Sequence, residues 1–143
     1  MKDKYSWLSF ARYIHNILRE NNIKHIFIKN FLHPYKFGDI DILVNSEDIN
    51  KIDVIFLGLN FKKVTPGYPS PLSKREFLKN GFFVEFYPKL SWRGIYVLDN
   101  NTAFRNVKYN TELRLPTLLP EYEAVSYTHL RAHETEADLV CRL

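Results

Sequence analysis

The stretch that decides the fold is Gly38-Asp39-Ile40-Asp41-Ile42-Leu43-Val44. Its run of β-branched and apolar residues predicts a strand over 39–44. Because side chains alternate across a strand, Asp39 and Asp41 share one face, and the intervening apolar residues point into the core. Two neighbouring carboxylates repel each other, so a sheet keeps them at its centre only when a cation neutralises them. The pattern therefore indicates a cation site.

Helical and strand patterns alternate on either side of this stretch. Apolar residues recur at steps of three and four from Trp7 to Leu18, which is typical of an amphipathic helix. The predicted elements are a helix from Trp7 that ends at Asn21-Asn22, a strand over 24–29, a loop over 30–38, a helix capped by Ser46 that ends near Gly58, a strand over 60–64 and a loop over 65–72.

A hairpin is predicted further along the chain. Asn80-Gly81 separates two β-type runs, 76–79 and 82–87, and this dipeptide is a strong signal for a two-residue hairpin turn. The second run carries Glu85 among aromatic and apolar residues, where a lone carboxylate needs a specific reason to be retained.

The last part of the chain has weaker patterns. Peripheral strands are predicted over 104–109 and 113–115, and Pro120 begins a predicted helix. Trp92 and the other aromatic residues are expected in the core. The complete order predicts an α+β fold, with one mixed sheet flanked by helices.

The two aspartates and the distal glutamate form one candidate site. Mg²⁺ prefers carboxylate oxygens together with the phosphate oxygens of a substrate. Two such ions held by Asp39, Asp41 and Glu85 can align an attacking hydroxyl, a triphosphate and the leaving pyrophosphate. His15, His25 and His33 have no spacing typical of a metal site.

With these residues in place, the chain resembles the nucleotidyltransferase superfamily whose founding fold is that of DNA polymerase beta, near the minimal and the aminoglycoside- or lincosamide-type families. The resemblance covers roughly residues 23–123. It rests on IKHIFIKN from Ile23, GDIDILV from Gly38, a helix ending near LGLNF from Leu57, VEF from Val84 followed by Trp92, and LPTLLPEYEA from Leu115.

The resemblance implies a reaction and its residues. Asp39, Asp41 and Glu85 would bind two Mg²⁺ ions, and Glu85 would help to activate the acceptor. The implied reaction transfers a nucleoside monophosphate from a nucleoside triphosphate, such as ATP or CTP, to a hydroxyl of a small molecule, an RNA end or a protein.

The phosphate-binding part departs from the family pattern. The family usually has Gly-Gly or Gly-Ser after the first strand, and this chain has Lys29-Asn30 there. Asn can adopt the left-handed conformation of a glycine, and Lys29 or Lys36 can meet phosphate charge. The candidate nucleotide-binding residues are therefore Lys29, Asn30, Lys36 and Gly38, although both lysines also fit solvated loop positions.

Other function classes remain open at this point. The missing Gly-Ser supports an inactive nucleotidyltransferase-like binding module, such as the antitoxin that pairs with a toxin. A metal-dependent nuclease would have lysine two residues after Glu85, where Tyr87 stands. A sugar-nucleotide glycosyltransferase also uses paired aspartates but usually needs a longer domain. A lone pair of aspartates on a surface strand without function is the simplest alternative.

Composition limits the class of protein. The chain has 143 residues, 45% hydrophobic and 25% charged, which fits one domain with a core. No apolar stretch is long enough for a membrane span, and the charged N-terminus is unlike a signal peptide, so a cytoplasmic protein is expected. A lone Cys141 cannot form an internal disulfide, and a net charge of +4 permits nucleic-acid binding without arguing for it.

The final nineteen residues differ from the rest of the chain. Lys, Asn, Ile and Phe are abundant in residues 1–124 and absent from 125–143. Val125–Leu143 resembles the translation of a transposase-type sequencing-library adapter, so His129 and His133 are not treated as metal ligands. We expect a nucleotidyltransferase-like core over 1–124 that is truncated near Ala124, followed by a non-native tail over 125–143.

Overall fold

A computed structural model describes residues 4–28, 39–64, 74–92 and 95–122. The predicted loops over 30–38 and 65–72 and the tail over 125–143 lie outside these residues. The elements are α1 (Lys4–Glu20), β1 (His25–Ile28), β2 (Ile40–Val44), a 3-10 turn (Ser46–Asp48), α2 (Ile49–Gly58), β3 (Lys62–Val64), β4 (Arg75–Lys79), β5 (Phe82–Tyr87), β6 (Leu90–Trp92), β7 (Ile95–Leu98), α3 (Asn100–Arg105), β8 (Val107–Asn110) and β9 (Leu115–Leu118).

Seven of these strands form one mixed sheet in the order β3-β4-β5-β2-β1-β9-β8. The strand that carries the aspartate motif, β2, lies at its centre, antiparallel to β1 and parallel to β5. Strands β6 and β7 pair separately as a small hairpin. The predicted α+β fold with a mixed sheet is therefore confirmed.

The two faces of the central strands have different coverings. One, the helix face, carries Ile40, Ile42 and Val44 and packs with α1 and α2 into the main hydrophobic cluster. The other, the carboxylate face, carries Asp41 and Leu43, and a smaller cluster that includes Ala103 of α3 covers part of it. Alternation along β2 therefore places the aspartate on the face away from the two long helices.

The turn between β4 and β5 has the geometry that its sequence predicts. Asn80 and Gly81 have φ of 53° and 77°, both left-handed, as a two-residue turn of the primed type requires. The turn sets the register of the hairpin, so that Glu76 is the partner of Glu85.

The structure corrects the predicted cap of α2 and the predicted strand that begins at Phe104. Ser46 does not cap α2, because Asp48 N–H donates to Asn45 O and closes a 3-10 turn before the helix begins at Ile49. The strand predicted over 104–109 is confirmed from Val107, where β8 begins, but Phe104 lies in α3, because the Asp99 side chain accepts a hydrogen bond from Thr102 N–H and starts a helix there.

The last strands also differ from the prediction. The strand expected over 113–115 is β9, which begins at Leu115 and lies between β1 and β8 instead of at the periphery. The hairpin of β6 and β7 was not predicted. Residues 120–122 form a helical turn, in agreement with the helix start expected at Pro120.

None of the helices in the described segments combines the length and the apolar character that crossing a membrane requires.

Candidate active site on the carboxylate face

Two of the three predicted acids meet across neighbouring strands. In the parallel pair of β2 and β5, Asp41 is the register partner of Glu85, so both side chains project from the carboxylate face. Asp41 is only 5% exposed, and Glu85 is half-buried. The fold therefore brings together two carboxylates that are 44 positions apart in the sequence.

Tyr87 links the two carboxylates. It lies two residues after Glu85 and therefore shares its face, with its hydroxyl 2.5 Å from Glu85 Oε2 and 3.2 Å from Asp41 Oδ1. Burial, together with the charges of Asp41 and Glu85, raises the pKa of Tyr87 well above its ordinary value. The phenol therefore stays protonated at neutral pH, and its single proton serves one carboxylate at a time.

A lysine approaches the same group from β4. Lys74 Nζ lies 3.3 Å from Glu85 Oε2 and 3.1 Å from Glu76 Oε1, and 5.5 Å from the centroid of the Tyr87 ring. Burial lowers the pKa of Lys74, but the nearby Glu85 and Glu76 outweigh it, so the pKa is raised overall. The Lys74 ammonium thus pairs with two carboxylates, those of Glu85 and Glu76.

The donor set fits a hard divalent cation. Asp41 and Glu85 supply carboxylate oxygens around one hydroxyl, and Mg²⁺ commonly takes one or two carboxylates plus substrate oxygens. Asp39 is exposed and comes one residue before β2, two positions from Asp41. Within the described segments no group of three or more His, Cys, Asp or Glu side chains is arranged to hold a metal ion. Asp41 and Glu85 are the described acids that would hold such an ion.

The candidate nucleotide-binding residues Lys29, Asn30, Lys36 and Gly38 lie outside the described residues. Gly38 directly precedes Asp39, and Lys29, Asn30 and Lys36 lie within the ten positions before it, so all four stay predicted phosphate contacts.

Three residues of this site were missed by the sequence reasoning. At the level of the sequence, Tyr87 serves only as evidence against a nuclease. Alternation along the strand places Tyr87 on the same face as Glu85. The position of Glu76 could have been predicted from the hairpin turn, because the register of the hairpin sets Glu76 opposite Glu85. Lys74 stands just before β4 and has no local sequence signal.

Comparisons with known proteins support the fold. No protein-family model and no curated protein sequence match the chain. Among solved structures, the fold matches the crystal structure of a candidate nucleotidyltransferase from Thermotoga maritima, with a TM-score of 0.65 and 23% identity over 96% of this chain and 92% of that chain. At this identity the similarity concerns the fold alone. The chain thus has a nucleotidyltransferase-like fold with a carboxylate pair on its central strands.

Proposed function

We propose that the chain is a Mg²⁺-dependent nucleotidyltransferase that moves a nucleoside monophosphate from a nucleoside triphosphate to a hydroxyl acceptor. The observation that carries the proposal is the meeting of Asp41 and Glu85 at the hydroxyl of Tyr87. Carboxylates that lie close together are ligands that Mg²⁺ takes when it also binds phosphate. The description of the Thermotoga maritima protein agrees with this activity.

Each residue has a distinct role in this proposal. Asp41 and Glu85 would hold one ion, and Asp39, at the exposed end of the motif, would contribute to holding a second. Bound Mg²⁺ would neutralise the triphosphate and polarise the phosphorus that is attacked. Glu85 accepts the proton of the acceptor hydroxyl, which belongs to a small molecule, an RNA end or a protein.

The test is transfer of label from an α-labelled nucleoside triphosphate in the presence of Mg²⁺. Asp39→Ala combined with Asp41→Ala is expected to reduce transfer to the level without protein, and Glu85→Gln to do the same. Asp48→Asn removes an acid of the 3-10 turn and serves as the matched control with full activity. Urea unfolding checks that each variant is folded. Transfer by the folded double variant would end the proposal.

A second candidate is an inactive nucleotidyltransferase-like module that binds a partner, such as a toxin. It is favoured by Lys74 and Tyr87, which already engage Glu85 and Asp41 in the protein alone. Titration calorimetry separates the two candidates. Binding of ATP or CTP that depends on Mg²⁺ is expected of the enzyme, and the absence of such binding is expected of the module.

A further inference from the structure

A groove of about 530 Å³ lies at the end of β1 that is remote from Asp41. Its walls come from the end of α1, the start of β1, and the region where α3, β8 and β9 meet. The residues that line the groove include His15, Arg19, Lys24, His25, Phe104 and Val107.

The groove is separate from the carboxylate pair. Ile28 is the register partner of Asp41, and His25 is three residues earlier on the same strand, about 10 Å away at 3.3 Å per residue. His25 shares a face with Phe27, which belongs to the helix-face cluster, whereas Ile28 belongs to the cluster of the other face. The carboxylate pair and the groove therefore lie toward opposite ends of β1, although Phe104 in the groove packs against the hydrophobic cluster of the carboxylate face.

Two histidines in the groove have a fixed arrangement of protons. His25 Nδ1 lies 2.7 Å from Ile23 O, and because a carbonyl only accepts, this nitrogen carries a proton. Burial lowers the pKa of His25 to about 4, so its ring is neutral at pH 7 and its Nε2 is an acceptor. His15 Nδ1, at 2.7 Å, must then donate to His25 Nε2. His15 Nε2 therefore has no proton, and no partner among the described residues.

The described lining of the groove carries positive charge. Arg19 and Lys24 are exposed, and neither forms an ion pair within the described segments. No Asp or Glu is among the groove's described lining residues. Arg19 is in the last turn of α1, where its positive charge also interacts favourably with the helix dipole. Lys24 follows the helix and has no such interaction with the last turn. Phe104 and Val107 add apolar surface beside the two cations.

We propose that this groove binds a phosphate monoester carried on a flat or apolar body of mononucleotide size. Arg19 and Lys24 hold the phosphate, and Phe104 and Val107 contact the body. His15 accepts a proton or a hydrogen bond at Nε2 when the anion binds. The volume falls within the range of small-ligand sites, about 300–1,000 Å³. Nothing in this proposal depends on the activity of the carboxylate site.

Titration calorimetry of the full chain at low salt, with a chelator to exclude metal-dependent binding, tests the proposal. The probes are AMP, inorganic phosphate and a short RNA with a 5′-phosphate. AMP is expected to bind more tightly than phosphate because its base contacts the apolar wall. RNA that binds more tightly than AMP would identify an RNA end as the source of the phosphate, and equal affinity would identify a free nucleotide.

Variants decide whether binding occurs in this groove. Arg19→Ala combined with Lys24→Ala is expected to weaken AMP binding by at least about tenfold, as loss of charged hydrogen bonds implies. Lys51→Ala combined with Lys62→Ala removes the same charge from α2 and β3, outside the groove, and should change the affinity less than about twofold. Equal affinities in the two double variants, or no saturable binding of any probe, would overturn the proposal.

The part played by His15 has its own test. The charged or titratable groups around its ring are Arg19 on its own helix and Lys24 and His25 on the adjoining segment. The pKa of His15 is lowered mainly by burial and to a smaller extent by the charge of Arg19. A bound anion would raise this pKa, because it stabilises the protonated ring. Sulfate does not titrate between pH 5 and 8, and its affinity should rise about threefold across this range as pH falls. His15→Gln should remove this dependence, and its persistence would exclude His15.

Discussion

The two faces of β2 are buried to almost the same extent, but the carboxylate face carries a buried charged residue, Asp41, beside the apolar Leu43. Ile40 and Ile42 on the helix face are fully buried, and Asp41 on the carboxylate face is 5% exposed. Burial of an apolar side chain stabilises the fold, whereas burial of a carboxylate costs free energy unless it is paired. Asp41 accepts a hydrogen bond from the Tyr87 hydroxyl, so its burial, unlike that of Ile40 and Ile42, depends on polar partners.

The faces also differ in how their side chains are held. On the helix face, aromatic rings fill space, as where Phe56 contacts Phe61 and Phe86 at centroid distances of 4.9 Å. On the carboxylate face, Tyr87 and Lys74 make directed hydrogen bonds to acids. We therefore expect the helix face to be destabilised by substitutions that remove side-chain volume. The carboxylate face should be destabilised by substitutions that remove a hydrogen-bond partner.

The largest expected effect is on the helix face. Phe56→Ala should lower the free energy of unfolding by about 3–5 kcal/mol, because it removes a fully buried ring and leaves a cavity. Phe83→Ala, on the other face of β5 and 41% exposed, should cost less than about 1 kcal/mol. Urea unfolding measures both. Equal losses would break the distinction between the faces.

His25 is a titratable group on the helix face, where it shares its side of β1 with Phe27. Its pKa is lowered from 6.5 to about 4, mainly by burial, so the unfolded chain binds the proton more readily than the folded one. Stability is therefore complete above pH 6.5 and falls as pH drops toward 4, by about 3 kcal/mol at most. Urea unfolding at pH 7 and pH 4.5, without phosphate, measures this loss. His25→Gln should reduce the pH dependence of the unfolding free energy. If the variant keeps the same dependence, other groups cause it.

The centre of the fold could be predicted because local signals there agree with the tertiary structure. Alternation placed Ile40 and Ile42 in the core, and Asn80-Gly81 set the hairpin that holds Glu85. Ser46 failed as a cap because a backbone bond from Asp48 closes a 3-10 turn, which side-chain preferences do not specify. Phe104 failed because an aromatic residue fits a strand and a half-buried helix position equally well.

The candidate site was predictable only where strand spacing determines position. Asp41 and Glu85 could be selected from the sequence because each carboxylate interrupts an apolar strand. Their neighbour Tyr87 was missed because an aromatic residue in an apolar run looks like core until its hydroxyl is seen between Asp41 and Glu85. Lys74 was missed because its contact with Glu85 requires the pairing of β4 with β5.

A smaller effect is expected on the carboxylate face. Tyr87→Phe keeps the buried ring but removes the hydroxyl that contacts Asp41 and Glu85, and should cost about 1–2 kcal/mol of unfolding free energy. Tyr109→Phe, at an exposed position on β8, is the matched control and should have no measurable effect. If Tyr87→Phe is as stable as the unchanged protein, the hydroxyl does not hold the carboxylates in place.

The smallest stability effect, and the one that most sharpens the comparison, is expected for Asp41→Asn. The amide has the shape of the carboxylate, its oxygen still accepts from Tyr87, and one charge beside Glu85 disappears. Unfolding free energy should therefore stay within about 1 kcal/mol or rise. Saturating Mg²⁺ should stabilise the unchanged protein, by about 2.7 kcal/mol at a hundred times the dissociation constant, and leave the variant unaffected. A large loss of stability without metal would mean that this face, like the helix face, serves the fold.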